Sequence, residues 1–265
     1  YNEGLIIMKK VLFCHDGPLR KDELNNYYGI AHNDEMFMRY YYIANELTVL
    51  IRVNKISKVE AEQKFSKITI LPFEVIQCPN ISNIMGMLLY KQKAKNIIFD
   101  AVSKSDYIIA RLPSFIGNMA IKMACEMNKP YLVEVVACPW DALWNHSLKG
   151  KFVAPYMYFK TKKLVKDAKY VVYVTNEFLQ KRYPTKGEYV NCSNVVLREF
   201  DDNVLVNRLN KIKNMQKNSK IVLGTVAAVD VRYKGQQYVI KALGKLKKQG
   251  ITNYEYQLVG GGNQA

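Results

Sequence analysis

The chain has 265 residues, with 39 Lys and Arg against 23 Asp and Glu, and a formal charge of +16. Its 49% hydrophobic and 12% aromatic content is too high for a disordered or low-complexity chain. The length fits one large or two ordinary domains, and no apolar run reaches the roughly 18 residues of a membrane-spanning helix.

The N-terminal apolar patch from Leu5 to Met8 precedes Lys9 and Lys10, the reverse of the order in a secretion signal. Met8 therefore reads as the true start, with residues 1–7 as an upstream extension. Five cysteines, Cys14, Cys78, Cys125, Cys138 and Cys192, are odd in number and lack a close pair. That argues against a disulfide framework or a zinc site and fits a reduced, cytoplasmic compartment.

In chain order, the pattern predicts a strand over 10–15, closed by the turn signal Asp16-Gly17-Pro18. Residues 33–47 have helical apolar spacing, with Asn33 or Asp34 as cap. Strands are expected at 48–53 and 68–71, the second ended by Pro72. A long helix follows over 81–103, a strand over 106–110, a helix over 115–127 and a strand over 131–137. A helix over 152–166 and strands over 170–175 and 189–196 complete the series. Strands separated by helices imply right-handed crossovers and a parallel sheet covered on both faces, a doubly wound α/β domain.

Residues 198–218 are polar and basic, with helical spacing at Val204, Leu205, Leu209 and Ile212, and read as a connector. A βαβ unit follows, with a strand over 221–226, a helix over 237–248 and a strand over 254–259 leading into Gly260-Gly261-Gly262. One such unit cannot cover both faces of its own sheet. Either its strands pack on the first domain, or the chain is a fragment of a longer protein, which is the favoured expectation.

Positive charge is unevenly placed. Residues 204–250 hold eleven Lys or Arg and one acid, and residues 151–189 hold nine basic residues and three acids. Nucleic acid, an anionic membrane surface and phosphorylated ligands all fit this balance, as does a plain solvated surface.

Four constellations have chemical potential. Cys14-His15-Asp16-Gly17-Pro18 closes the first strand, where open α/β sheets bind ligands. Gly17 permits close approach of a phosphate, and His15 with Asp16 offers an acid/base pair; a plain turn is the other reading. No G-x-G-x-x-G stands here. Cys138-Pro139-Trp140-Asp141, then Trp144-Asn145-His146, places both tryptophans beside an acid and an imidazole. These could form a sugar platform, or the tryptophans, four apart, pack as a pair on a short helix. Gly224-Thr225, with Asp230, Arg232, Lys234 and Gly235 ahead of a helix, suits a diphosphate. Gly260-Gly261-Gly262-Asn263 allows close backbone approach or is a simple loop.

Several blocks resemble one family. Residues 131–136 running into Pro139-Trp140-Asp141, then 168–175, then 178–184 are similar to family 4 glycosyltransferases. Gly224-Thr225-Val226 through Lys234-Gly235, Ala242-Leu243 and Leu258 to Gly262 resemble the start of that family's donor-binding domain. The resemblance covers about residues 8–262. It implies a GT-B type α/β fold: a complete N-terminal, acceptor-side Rossmann-like domain over 8–197, a connector over 198–218, and the first βαβ of a second Rossmann-like domain over 219–265.

The resemblance further implies retaining, metal-independent transfer from a nucleotide-sugar donor, with no cofactor, to a glycan or lipid-linked acceptor in surface polysaccharide or glycoconjugate synthesis. Lys234 matches the family lysine that holds the donor diphosphate, and Gly17 matches the glycine loop that approaches it. The usual family arginine falls where Thr225 stands, leaving Arg232 as substitute; Gly224 and Gly235 complete the donor side. Many relatives carry a histidine after the fifth strand, where this chain has Asp141 and, further on, His146 as candidates for the catalytic role. The family's Glu-x7-Glu motif lies beyond the residues of this chain.

Lys160, Lys162, Lys163 and Lys166, interleaved with Tyr156, Tyr158 and Phe159, also suit docking at the inner face of an anionic membrane. Two other functions compete. A basic nucleic-acid-binding protein lacks any recognisable reader, so no nucleic-acid partner is expected. A GT-B-fold sugar-nucleotide epimerase would convert a nucleotide sugar without an acceptor.

Overall fold

The computed structural model describes residues 9–145, 148–195, 201–216, 219–229 and 231–262. The apolar run of the first strand, β1 (Lys10–Cys14), is buried on both sides, as expected of a central parallel strand. Val11 and Phe13 enter one core and Leu12 and Cys14 the other, the two-residue alternation of a strand between two layers. After β1 come β2 (Leu19–Lys21), β3 (Tyr27–Gly29), α1 (Asp34–Met38), β4 (Glu46–Ile51), β5 (Val53–Lys55), α2 (Lys58–Lys64), β6 (Ser66–Lys67) and β7 (Phe73–Gln77). Next are α3 (Ile84–Ser103), β8 (Tyr107–Leu112), α4 (Phe115–Glu126) and β9 (Tyr131–Val135). The chain continues through α5 (Pro139–Trp144), α6 (Leu148–Lys166), β10 (Tyr170–Tyr173), α7 (Phe178–Arg182) and β11 (Glu188–Asn191). Last come α8 (Asn203–Lys213), β12 (Ile221–Val226), α9 (Gln236–Lys248) and β13 (Tyr254–Val259).

Seven strands form one parallel sheet in the order β11-β10-β9-β8-β1-β4-β7. The chain moves outward from β1 to β4 and β7, then returns to the other side of β1 with β8. The β1/β8 boundary is therefore the topological switch point, where doubly wound sheets open a crevice at their carboxyl ends. One face packs α3 and α4 through Ala94, Ile98, Ala101, Ile116, Ala120 and Ala124. The other holds Met36, Phe37 and Tyr40. Each fully buried Leu, Ile or Phe in such layers contributes about 1.5–3 kcal/mol.

The chain divides into two compact units, Tyr1–Pro139 with Tyr156–Asn194, and Trp140–Pro155 with Val195–Ala265. In the second unit β12 and β13 pair in parallel over six residues, joined by α9. Both strands are largely exposed, including Val222, Val226 and Val259.

The α/β expectation holds, with three corrections. Residues 33–47 do not form one helix. Asn33 caps α1 by accepting from the Met36 N–H, but a 3-10 turn (Arg39–Tyr42) ends the helical stretch. Pairing of Lys10 with Glu46 then draws the next residues into β4. The third strand of the main sheet is Phe73–Gln77, not 68–71, because Leu47 to Ile51 pair with Phe73 to Gln77. Residues 66–67 instead close a four-stranded sheet, β5-β2-β3-β6, that the sequence reading missed. The helical spacing read at Val204, Leu205, Leu209 and Ile212 is borne out by α8. The end of the strand expected over 189–196 lies outside the described residues.

Candidate functional site

Two loops at strand carboxyl ends hold most of the residues singled out by sequence. The first, residues 15–18, follows β1 at the switch point. Asp16 does not pair with His15. Its carboxylate accepts hydrogen bonds from the Phe115 and Ile116 amides, at 2.6 and 2.9 Å, across nearly a hundred residues of chain. Ser114 Oγ takes the Gly117 amide at 2.8 Å. The first donors of α4 are thus satisfied by side chains, as a helix start requires. Arg52 Nε donates to the Asp16 carbonyl, tying the loop to the residue after β4.

Gly17 donates its N–H to His15 Nδ1 at 2.8 Å. That nitrogen is an acceptor, so the neutral ring carries its proton on Nε2. A Cβ on Gly17 would lie 2.7 Å from His32 Cε1 and 2.8 Å from His15 Nδ1, so only glycine fits. The two imidazoles stand 4.9 Å apart beside Phe13. Burial, then the His32 ring and the Arg111 and Arg52 guanidiniums, hold His15 well below the ordinary imidazole range. Burial and then Arg111 pull His32 down to about 4.

Beneath them lies a buried charged group that sequence reasoning missed. Arg111 on β8 and Glu134 on β9 are register partners, 4% and 5% exposed. Arg111 Nε stands 3.6 Å from Glu134 Oε2, and Tyr40 Oη donates to Glu134 Oε1 at 3.0 Å. Burial and the Glu134 charge raise the Tyr40 phenol well above its usual range. Arg111 Nη1 and the side-chain amide of Asn118 make no hydrogen bond among the described residues. A lone polar residue within each of two apolar strands was the available signal.

The second loop lies in the second unit, between β12 and α9. Gly224 and Thr225 sit inside β12. A Cβ on Gly224 would meet nothing within 4 Å, while the Thr225 hydroxyl bonds Tyr256 Oη at 2.8 Å. Arg232 and Lys234 lie on a 3-10 turn (Arg232–Lys234), and both are exposed. Gly235 adopts φ +87°, a left-handed conformation natural to glycine, and opens α9 without a side-chain cap. The buried Gln236 donates from Nε2 to the Ala228 carbonyl at 3.1 Å, anchoring the helix start. Gly260 passes so close to Ala227 that a Cβ there would lie 2.0 Å from the Ala227 carbonyl oxygen. Asp230 and Asn263 lie outside the described residues.

Trp140 and Trp144 stack at 5.0 Å and 10° on α5, with the Lys151 ammonium 5.6 Å from the Trp144 ring. The packing reading of this pair holds. Asp141 is in the first turn of α5, and its carbonyl accepts from Asn145 Nδ2 at 2.9 Å. His146 lies outside the described residues. All five cysteines are free. Among the described residues no cluster of three His, Cys, Asp or Glu is placed to hold a metal, and no helix is long and apolar enough to cross a membrane.

No family model matches the chain. It is similar to a curated protein. Protein CapJ of Staphylococcus aureus is 32% identical over 261 residues, covering 96% of this chain and 61% of CapJ. The chain therefore spans less than two thirds of that relative's length. Among solved structures, a UGT transferase from Siraitia grosvenorii in complex with UDP matches with TM-score 0.46 and 10% identity, covering 96% of this chain and 74% of that one. Acinetobacter baumannii MurG matches with TM-score 0.43 and 12% identity, covering 95% and 66% respectively. These overlaps are too loose to support the fold; the strand order alone carries it.

Proposed function

We propose that the chain belongs to a GT-B glycosyltransferase that moves a sugar from a nucleotide-sugar donor to a glycan or lipid-linked acceptor. Transfer proceeds with retention and without a metal ion, in surface polysaccharide or glycoconjugate synthesis. In this reading residues 8–197 form the acceptor-side domain and residues 219–265 belong to the donor-binding domain. The observation that carries it is the β12–α9 loop. Arg232 and Lys234 lie just ahead of a glycine that opens α9 with no side-chain cap, an arrangement suited to a diphosphate.

The reaction breaks the bond between the sugar C1 and the diphosphate oxygen and forms one to the acceptor oxygen. Negative charge grows on the departing nucleoside diphosphate. Lys234, Arg232 and the amides that begin α9 stabilise it where it develops, with Gly224 and Gly235 leaving the backbone uncrowded. Gly17 shapes the acceptor-side wall, and Asp141 and His146 are the proposed groups near the reacting sugar. Protein at the inner face of the membrane fits α6, which lacks acids and exposes Phe152, Tyr156 and Phe159 beside Lys160 and Lys163.

Turnover of the full-length protein is measured with a panel of nucleotide sugars, reading release of the nucleoside diphosphate. Lys234→Ala is expected to lower turnover about a hundredfold or more, the effect of removing one preorganised donor. Turnover within about threefold of the parent protein would remove Lys234 from the mechanism.

A further inference from the structure

Helix α3 is two helices in character. Its C-terminal half packs on the sheet through Ala94, Ile98, Ala101 and Val102, spaced to one face. Its N-terminal half turns apolar residues outward. Ile84, Met85, Leu88 and Leu89 are 68%, 64%, 75% and 65% exposed. Spaced i, i+1, i+4 and i+5, they share one side of the first two turns.

This start is rigidly held. Asn83 Oδ1 accepts from the Gly86 N–H at 2.7 Å. A Cβ at Gly86 would lie 1.9 Å from the Asn80 carbonyl oxygen, so the preceding segment packs directly on the helix backbone. The opposite side of this turn is thereby covered, and the apolar residues are left facing out.

Charge says what meets them. Lys91 stands three residues beyond Leu88, Lys93 four beyond Leu89, and Lys95 one turn after Lys91. No Asp or Glu occurs between residues 75 and 99. Four apolar side chains at a helix start, backed by a belt of lysines, match a lipid bilayer with anionic headgroups. The apolar groups enter the acyl boundary, while the lysines extend to the phosphates. We propose that the first two turns of α3 are an interfacial anchor to an anionic membrane. Since every strand of the sheet is parallel, α3 starts at the same end as the loop of residues 15–18. The anchor thus brings the lipid surface to the end of the sheet where the switch point opens.

This inference deepens the membrane contact proposed above and gives it a second, separate surface. The test is co-sedimentation of the chain with phosphatidylcholine vesicles, with and without phosphatidylglycerol. Wild-type protein is expected to partition at least about tenfold more strongly with phosphatidylglycerol present. Leu88→Glu with Leu89→Glu is expected to lower that partitioning about tenfold or more with unchanged Tm, since both side chains are exposed. Lys91→Gln, Lys93→Gln and Lys95→Gln together are expected to remove most of the lipid preference. The pair Leu205→Glu and Leu209→Glu on α8, whose start carries Asp201 and Asp202, is expected to change nothing.

Three results overturn the inference. The Leu88/Leu89 variant binds like wild type while Lys160→Gln, Lys162→Gln and Lys163→Gln on α6 abolish binding; the membrane contact then stands and the α3 anchor falls. Wild type binds neither vesicle; both surfaces then fall. Light scattering finds a dimer that Leu88→Glu separates; the patch then belongs to a second copy of the chain.

Discussion

Helices α4 and α9 both begin after a parallel strand, and they treat their first amides in opposite ways. At α4 the protein uses them itself: Asp16 takes two and Ser114 a third, while His15 occupies the Gly17 amide. At α9 the helix opens from Gly235 with no side-chain cap, beside two exposed cations. A helix start is attractive to an anion in proportion to what is left unsatisfied. The comparison teaches that the switch-point loop is internally satisfied, whereas the start of α9 has no side-chain cap over its first amides.

The sharpest way to break this comparison is at the buried charge pair under the wall. Glu134→Ala leaves the Arg111 guanidinium almost fully buried without its counterion and removes the acceptor of Tyr40. The expected loss is about 3–5 kcal/mol in urea unfolding. Arg111→Met with Glu134→Leu, which removes both charges, is expected to recover part of it. A Glu134→Ala loss under about 1 kcal/mol would mean the wall is not held by this pair.

The second lever is pH. His15 and His32 both bind protons more weakly folded than unfolded. Between the ordinary imidazole value of 6.5 and the His32 value of about 4, the unfolded chain holds more protons. Stability from this site is therefore full above about pH 6.5 and falls as pH drops towards 4. For His32 alone the loss is on the order of 3 kcal/mol. Urea midpoints from pH 7.5 to 4.5 measure this, and His32→Phe is expected to flatten the profile. An unchanged slope in that variant would detach His32 from the pH effect.

The smallest effect is expected on the other side of the comparison. Arg232→Ala and Lys234→Ala, both at exposed positions, should each shift unfolding stability by no more than about 0.5 kcal/mol. Losses of 2 kcal/mol or more, on the scale of a broken structural network, would make that loop part of the scaffold too.

What could be read from sequence follows from range. The parallel sheet was legible because apolar runs such as 11–14, and 107–112 and 131–135 with one charged residue each, mark strands of a covered parallel sheet. The β12–α9–β13 unit was legible because each element is decided by its own residues. The 33–47 stretch was misread because helical spacing at Met36, Phe37 and Tyr40 also serves a single turn and a 3-10 continuation. The small sheet escaped notice because strands of two or three residues carry no period. At the site, Gly17 could be marked from its position after a strand. The role of Asp16 could not, because its partners are amides of Phe115 and Ile116, and backbone donors leave no trace in side-chain pattern. Arg111 and Glu134 were passed over for a similar reason: their pairing is a matter of register between neighbouring strands.

The Asp16 contact also sets an order of events. It joins residues 99 and 100 positions apart, and among the described residues no shorter-range hydrogen bond of its carboxylate accompanies it. While a ribosome is still adding residues, β1 can exist well before its closing loop has anything to grip. The loop takes its final shape only after β8 has paired with β1 and α4 has begun to wind. Contacts of such span close late, after local structure has offset the entropy of a long chain loop. In folding kinetics, Asp16→Ala should speed unfolding far more than it slows folding, so this cap governs how long the wall lasts once built.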